Sequence, residues 1–422
     1  MKNMMKKDNI NMLIFNELFS NFSNEERGTI GVEIELPIVS KKNIEMKNIQ
    51  KLFRYLIKEK EFIKDCEDND KNIISIINKE NHDKISLEYS VNTLEFSLKE
   101  DCNIYNIKKR LDQYIIIIQN FLDKIDYQLV GRGINPNYKN IDRHCLKESR
   151  YLTIEKLLTE NNGNNMLFNE FCSYICSTQT HLTPSINELP DVINAISSIE
   201  WVKSYLYANS YMEELKCNIS RDYLWEISNF EKSNIGTNKH YETIKDIIND
   251  YKKRKMHFIQ RNGKYYLINS MTIEDYFNKD KVLGKDYNNN LEYFSPLETD
   301  IHDFRSYKNV EITRRGTIEI RSDCTQELDN LFETVAFNVG ILKNYKLINN
   351  LVVKYGFESD YIERRKRINR CKNVNDKELN FIYDVMNLIY LGLKERGYKE
   401  EKLLKRLNEM RENDEKSRFV VL

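Results

Sequence analysis

The stretch IGVEIEL, residues 30–36, decides the fold of this 422-residue chain, because apolar and acidic side chains alternate along it. Alternate side chains of a β-strand point to opposite faces of a sheet, so the aliphatic residues would face a core. Glu33 and Glu35 would then share the other face. The alternation predicts a strand that is buried on one side and acidic on the other.

Two other stretches repeat this arrangement, TIEIRS at residues 317–322 and STQTHL at residues 177–182. Each places polar side chains on one strand face and smaller or aliphatic ones on the other. The side chains that would share the polar faces are Thr317, Glu319 and Arg321 in the first stretch, and Ser177, Gln179 and His181 in the second.

Glu88 and Glu95 lie seven residues apart, so on one straight strand they would point in opposite directions. Residues 89–92, Tyr-Ser-Val-Asn, are suited to a tight connection between two short strands. A hairpin over residues 85–98 would bring both carboxylates to one surface.

Alternating Glu and apolar residues are also typical of a half-exposed antiparallel strand, and this alternative applies to each strand alone. Glu is disfavoured in strands, however, and here it recurs together with Arg, Gln and His. Carboxylates that converge on one face repel each other unless cations hold them. Magnesium takes oxygen ligands and shares its coordination with substrate phosphates. The combined pattern favours a site for a metal ion and a nucleotide.

Helical apolar spacing predicts helices around these strands. The apolar run at residues 104–125 predicts a helix, with a buried strand as the alternative. The absence of internal repeats and of a long linker favours one α+β domain with a charged, helical C-terminal extension from about residue 356. The predicted helices span residues 11–22, 44–63, 104–125, 189–207, 328–351, 379–392 and 399–410.

Composition excludes several classes of protein. Lys plus Arg and Asp plus Glu are balanced at 65 each, so no global charge indicates a nucleic acid or membrane partner. The apolar run after the basic residues 1–7 is too short for a signal peptide, and no later run approaches a membrane span. The eight cysteines show no CxxC pair, which favours reduced thiols and a cytoplasmic location.

These residues resemble the glutamate–cysteine ligase family, nearest to its plant and proteobacterial branch within the glutamine-synthetase-like carboxylate–amine ligases. The motifs are short, but they occur in the family's order over roughly residues 10–345. The matching stretches are IGVEIE at 30–35, LE at 87–88 with LEFS at 94–97, GINP at 133–136, SRY at 149–151, CSTQTHL at 176–182, RDYLW at 221–225, KY at 264–265 with MTIEDYF at 271–277, and IEIRS at 318–322.

The resemblance implies an α+β fold in which an antiparallel sheet curves into a funnel and helices pack on its outer face. The catalytic domain would cover residues 1–355 and the helical extension residues 356–422. ATP would bind at one end of the funnel and amino-acid substrates, the only expected partners, at the other.

The resemblance also implies residue roles. Magnesium, or manganese in its place, would be held by Glu33, Glu35, Glu88, Glu95 and Glu319. Gln179 would contact metal or nucleotide, and Arg321 would steady the transferring phosphoryl group. Substrate would be bound by Arg150, Arg221, Trp225 and His257, with Arg221 on the α-carboxylate of glutamate.

The implied reaction joins the side-chain carboxylate of glutamate to the amine of cysteine through an acyl phosphate, the amide-forming step of glutathione biosynthesis. Three departures lie where specificity would be decided. His257 stands where the plant branch has a Tyr in the cysteine pocket, Thr183 replaces an Asp at the end of its strand, and RSDC at residues 321–324 stands where the family has RGAD. A related ligase for another acid or amine, and a non-catalytic nucleotide-binding protein, are therefore alternatives.

Overall fold

A computed structural model describes residues 9–162, 169–228 and 230–410, and these residues form fifteen strands. The strands are β1 (Ile30–Ser40), β2 (Phe62–Glu67), β3 (Ile73–Asn78), β4 (Lys84–Leu87), β5 (Thr93–Asp101), β6 (Tyr127–Leu129), β7 (Ser177–Leu182), β8 (Ile235–Gly236), β9 (Lys255–Arg261), β10 (Lys264–Thr272), β11 (Val282–Lys285), β12 (Leu291–Phe294), β13 (Tyr307–Lys308), β14 (Val310–Thr313) and β15 (Thr317–Cys324).

Six of the eleven α-helices in the described residues overlap predicted spans, and one more lies in the predicted helical extension; those at residues 149–162, 220–227, 244–253 and 273–277 were not predicted. The eleven helices are α1 (Met46–Glu59), α2 (Ile104–Leu122), α3 (Ser149–Asn162), α4 (Leu189–Ser198), α5 (Glu200–Tyr207), α6 (Ser220–Ile227), α7 (Ile244–Lys253), α8 (Ile273–Phe277), α9 (Glu333–Tyr355), α10 (Tyr361–Cys371) and α11 (Asp376–Glu395). Short helical stretches at residues 9–14 and 405–410 complete the set.

The main sheet is antiparallel and places its strands in an order that differs from their order in the chain. Its path among the described residues is β14-β15-β7-β1-β5-β4-β3-β2, and β6 pairs with the end of β1. The predicted hairpin is confirmed, since β4 and β5 pair with Leu87 opposite Leu94. The predicted class, a mixture of helices and antiparallel sheet, is therefore present, and the curvature into a funnel stays a prediction.

One face of this sheet is covered by helices. The side chains of Val32, Ile34 and Leu36 on β1 are at most 1% exposed. On β7, Asn338 of α9 donates from Nδ2 to Thr180 Oγ1 at 3.0 Å, which places α9 on the side opposite Gln179. The acidic face is consequently the one that helix α9 leaves free.

Two predicted helices differ from the structure in detail. The run at residues 104–125 is helix α2 followed by a short 3₁₀ turn, so the alternative of a buried strand is wrong. The predicted helix at residues 189–207 is two helices, α4 and α5, which meet at Ile199.

Residues 356–410 pack against the rest of the chain. Helix α9 ends where Gly356 adopts a positive φ of 66°, a conformation that glycine tolerates and that stops helices. Trp201 of α5 then packs against both Phe357 and Phe381, with ring centroids 5.7 and 5.3 Å away. The predicted boundary at 355/356 coincides with the end of a helix, and residues 411–422 lie outside the described part.

All eight cysteines are free. No helix in residues 9–162, 169–228 and 230–410 is long and apolar enough to cross a membrane.

Candidate active site

Polar side chains of three adjacent strands meet at the centre of the main sheet. Glu33 of β1 lies opposite Gln179 of β7, and His181 of β7 lies opposite Glu319 of β15. Residues directly opposite each other in an antiparallel pair project from the same face. The polar face that the alternation predicts is therefore present, and it extends across strands from distant parts of the chain.

Glu33, His181 and Glu319 form the tightest group on this face. One ligand atom from each lies within 4.8 Å of the others, and His181 Nε2 is 3.4 Å from Glu33 Oε1. The other ring nitrogen, Nδ1, hydrogen-bonds Thr317 Oγ1 at 3.3 Å and so fixes the orientation of the imidazole. The two carboxylates suit magnesium or manganese, and the oriented imidazole nitrogen adds a ligand of the kind that transition metals prefer.

Glu35, Glu88 and Glu95 form a second acidic group beside the first. Glu35 lies opposite Glu95 in the β1–β5 register, and Ser97 donates to Glu95 Oε1 at 2.7 Å. Burial, together with Glu88 and Glu33, raises the pKa of Glu95 well above its ordinary value. The positively charged side chains therefore do not fully offset the repulsion between these carboxylates. Such a deficit is expected where a bound metal ion supplies the missing positive charge.

The charge of Glu35 is also incompletely balanced. Burial raises the pKa of Glu35 to about 7, Arg221 opposes this shift, and Glu95 adds to it. The backbone N–H of Ser177 and the amide of Gln179 both donate to Glu35, at 2.6 and 3.1 Å. The other amide atom, Gln179 Oε1, is buried and has no hydrogen-bond partner among the described residues, so it can accept from a ligand or bind a cation.

Glu33 has the opposite electrostatic environment. Burial alone would raise the pKa of Glu33, but His181, Arg315 and Arg321 outweigh it and lower this pKa to about 2. The carboxylate is thus ionised throughout the neutral range and remains available as a ligand.

A cavity of about 1020 Å³ lies over this face. Cavities that hold small molecules have volumes of roughly 300–1,000 Å³, so this one has room for two ligands of moderate size. Nine of the eleven predicted site residues line the cavity: Glu33, Glu35, Glu88, Arg150, Gln179, Arg221, Trp225, Glu319 and Arg321.

Arg321 lines the cavity. Its Nε is 3.3 Å from Glu319 Oε1, and its Nη1 donates to the carbonyl of Ser306 at 2.8 Å. The guanidinium also stands 5.6 Å from the ring centroid of Tyr307. These contacts hold a partly buried positive charge beside the carboxylates, where it can meet an anionic group of a ligand.

Helix α6 contributes Arg221 and Trp225 from one face, four residues apart. Arg221 Nη1 is 3.4 Å from Asp222 Oδ1, and Arg221 Nε is buried with no hydrogen-bond partner among the described residues. Trp225 stacks on Tyr307 with ring centroids 3.7 Å apart. Arg221 is therefore incompletely paired and is free to bind a carboxylate.

Arg150, at the start of α3, lies beside the second acidic group. Its Nη2 donates to the hydroxyl of Tyr151, which donates in turn to Glu88 Oε2 at 3.0 Å. The nitrogen Nε of Arg150 is buried without a partner among the described residues. Arg150 is thus a partly buried cation that lines the cavity and is available to an anionic ligand.

Two predicted site residues do not reach the cavity wall within the described part of the chain. Glu95 does not line the cavity, but it is close enough to Glu88 for the two carboxyl groups to interact. The ring of His257 packs on Phe230, with centroids 4.9 Å apart, and Phe230 packs on Trp225 and Tyr307. His257 therefore packs behind the aromatic side chains that line the cavity and does not face the cavity itself. Its position in the sequence alone could not show this arrangement.

His181 is the functional residue that sequence reasoning missed. The alternation places it on the polar face, but the family motif has a different residue type at this position, so no role was carried over to it. Its proximity to Glu319 depends on the pairing of β7 with β15, two strands separated by more than 130 residues in sequence.

No family model matches this chain, and no curated protein matches it. Among solved structures, it is similar to a glutamate–cysteine ligase from Francisella tularensis in complex with AMP, with a TM-score of 0.45 and 11% identity over 92% of this chain and 82% of that chain. It is also similar to a bifunctional glutathione synthetase from Pasteurella multocida, with a TM-score of 0.37 and 8% identity over 96% of this chain and 54% of that one. At such low scores the case for function rests on the site itself.

Proposed function

We propose that this protein is an ATP-dependent carboxylate–amine ligase that joins the side-chain carboxylate of glutamate to the amine of cysteine. One observation carries the proposal. Motifs that match the glutamate–cysteine ligases in order along the sequence converge on a single cavity, and nine of the eleven residues taken from them line its wall.

The proposed reaction has two steps. A side-chain carboxylate oxygen of glutamate attacks the γ-phosphorus of ATP, the bond to the ADP oxygen breaks, and an acyl phosphate forms. The amine nitrogen then attacks the acyl carbon, the carbon–oxygen bond to phosphate breaks, and the amine proton is released to solvent. Activation is needed because a carboxylate is a poor acyl donor and an acyl phosphate a good one.

Residues of this chain would bind and orient both substrates. Glu33, His181 and Glu319 would hold a divalent cation, with Glu35, Glu88 and Glu95 available for another. The bound cations would neutralise phosphate charge. Arg321 would contact the transferring phosphoryl group, since it lines the cavity beside Glu319 and the carbonyl of Ser306 holds its guanidinium in place. Catalysis would come from positioning and charge neutralisation, without a covalent enzyme nucleophile.

Arg221 would bind the α-carboxylate of the acid substrate. Charge-assisted, bidentate pairing is the most direct way to orient an amino acid, and this arginine is incompletely paired. Replacing Arg221 by Ala would raise the KM for the acid far more than that for ATP, by roughly 30-fold or more if the pair is buried.

The experiment that tests the proposal is ADP release by the purified protein with ATP, magnesium and glutamate, against a panel of amines that includes cysteine. The product would be identified by mass spectrometry, and Glu319→Gln is the inactive control. ADP release that depends on both the acid and the amine would support a ligase. Tight nucleotide binding without any release would instead favour the non-catalytic alternative.

A ligase for a different amine is the second candidate, and the aromatic wall favours it. Trp225 and Tyr307 stack on each other and line the cavity, while Phe230 packs on both from outside the lining and also contacts His257. This wall presents flat apolar surface, which suits an apolar side chain of the amine as well as a thiol. The amine that gives the highest kcat/KM in the panel distinguishes the two candidates.

A further inference from the structure

Helix α10 belongs to the part of the chain beyond the family motifs, yet one of its faces borders the cavity. The side chains on that face recur at the spacing of helical neighbours, three, four and seven positions apart. They are Ile362, Arg365, Lys366 and Asn369. A whole helical face on the cavity indicates that α10 is part of the site.

The C-terminal end of α10 also holds the beginning of α6. The carbonyl oxygen of Asn369 accepts from the backbone N–H of Asn218 at 2.9 Å and from that of Ile219 at 3.2 Å. Ile219 is the residue that immediately precedes α6. The position of α6, which carries Arg221 and Trp225, is therefore tied to α10 through main-chain hydrogen bonds.

A side-chain connection reinforces this link. Arg365 is buried, with its side chain 8% exposed, and it donates from Nη2 to Asp222 Oδ2. The other oxygen of the same carboxylate, Oδ1, is 3.4 Å from Arg221 Nη1. Asp222 is thus shared between an arginine of α10 and the arginine that faces the cavity.

Arg365 reaches a second carboxylate as well. Its Nε is 3.4 Å from Glu200 Oε2, and Ser322 donates to Glu200 Oε1 at 3.0 Å. Ser322 directly follows Arg321. One buried guanidinium therefore stands between the α6 end of the site and the strand that carries Arg321.

We propose that Arg365 is a positioning residue for Arg221, and that α10 is the scaffold that keeps the α6 end of the site in place. By neutralising Asp222, Arg365 leaves the charge of Arg221 available to a ligand carboxylate. Without it, Asp222 would draw Arg221 into a closer ion pair and compete with the ligand. The kinetic part of this inference rests on the proposed function.

Arg365→Met tests the proposal, because it keeps the length of the side chain and removes the charge and the donors. We expect the KM for the acid substrate to rise by about tenfold or more, with the KM for ATP changed by less than about twofold. Arg367→Met is the matched control, since Arg367 lies on the same helix and pairs with Glu378 away from the cavity.

Two further variants separate positioning from a general loss of structure. Arg365→Lys keeps the charge but loses the planar fork, so it should restore part of the affinity for the acid. Asp222→Asn in the Arg365→Met background removes the competing charge and should lower the raised KM again. A loss of fold would be rescued by neither change.

A spectroscopic measurement tests the same link without any substrate. The chain has two tryptophans, Trp201 and Trp225, so fluorotryptophan labelling gives two ¹⁹F resonances that can be assigned with Trp201→Phe. Trp225 lies on α6 and stacks on Tyr307, so its resonance should shift in Arg365→Met and stay in place in Arg367→Met.

The two measurements distinguish the possible failures. An unchanged Trp225 resonance and an unchanged KM for the acid in Arg365→Met would overturn the inference. If the wild type releases no ADP with any acid and amine, the proposed function fails, and the inference is then decided by the Trp225 resonance alone. Equal effects of Arg365→Met and Arg367→Met would also overturn it.

Discussion

Gly31 illustrates how a single small residue shapes the site. It lies opposite His181 in the β1–β7 pair, and a Cβ at position 31 would be 3.2 Å from the Cβ of His181. Such an approach is closer than ordinary van der Waals contact, so a larger residue would displace the imidazole. The absence of a side chain at position 31 thereby leaves room for the imidazole of His181 near Glu33 and Glu319.

The three donors around His181 lead to a prediction about metal binding. Glu319→Gln removes one anionic ligand while keeping its shape, so we expect the affinity for Mn²⁺ to fall about 10- to 100-fold. Titration followed by electron paramagnetic resonance measures this without turnover. Glu327→Gln, an exposed change outside the cavity, is the control. Equal Mn²⁺ affinity in the two variants would show that the carboxylate of Glu319 is not a metal ligand.

His257 should make stability depend on pH. Burial lowers the pKa of His257 from 6.5 to about 4, so the folded protein keeps the ring neutral where the unfolded chain already binds a proton. Its stabilising contribution is complete above pH 6.5 and is lost as the pH falls towards 4, by about 3 kcal/mol.

Chemical unfolding at a series of pH values measures this effect against His257→Phe, which cannot titrate. The free energy of unfolding of the wild type should fall more steeply between pH 7 and 4 than that of the variant. Parallel curves for the two proteins would show that the ring is protonated equally in both states.

Among helices and strands, α5 depends on a buried cation for its attachment to β15. Lys203 Nζ lies 2.8 Å from Glu200 Oε1 and 2.9 Å from Asp323 Oδ1, and its side chain is 4% exposed. The adjacent Ser322 also accepts from this ammonium group, at 2.9 Å. The contact holds the strand that carries Arg321 against the helix behind it.

Lys203→Met should therefore destabilise the protein by about 3–5 kcal/mol, because the buried Asp323 loses its counter-charge and Glu200 keeps only Arg365. Urea unfolding measures the change, and adding Asp323→Asn should recover part of it by removing one uncompensated charge. A loss below about 1 kcal/mol would mean that water or rearrangement satisfies these groups.

Helix α2 shows how packing resolved a local ambiguity. Its run of β-branched residues is compatible with a strand or a helix when taken alone. In the structure its buried residues recur at spacings of three and four, as at Ile104, Ile107, Leu111 and Tyr114, and Ile116 is 60% exposed. The Asn103 side chain caps the first turn by accepting from the N–H of Tyr105 at 2.9 Å.

For the whole chain, the structure predicts that residues 356–410 cannot be removed. Phe357, Ile368 and Phe381 are buried in the same core as Trp201 of α5. A chain that ends at residue 355 would expose this surface and lose Arg365, so we expect no cooperative unfolding transition. Thermal unfolding followed by circular dichroism is the measurement, with a chain that ends at residue 410 as the control. A cooperative transition in the shorter chain would show that residues 1–355 fold independently.

Most of the acidic face could be anticipated from residue order. The period of two along a strand is local, so Glu33 and Glu35 had to share a face, as did Glu319 and Arg321. The hairpin that brings Glu88 near Glu95 could also be predicted, because its short turn lies within one stretch of sequence. The contribution of helix α10 to the cavity could not be predicted, since α10 carries no recognisable motif.

The amino-acid sequence alone determined which side chains alternate, which segments are apolar enough to be strands or helices, and which charges are available. Tertiary structure decided which of these groups meet. Only the pairing of β15 with β7 brings Glu319 to His181, only α10 brings Arg365 to Asp222, and only the packing of Phe230 separates His257 from the cavity. The physical reason is that the face of a side chain follows from its neighbours in the chain, while its partners depend on how distant segments bury their apolar surfaces together.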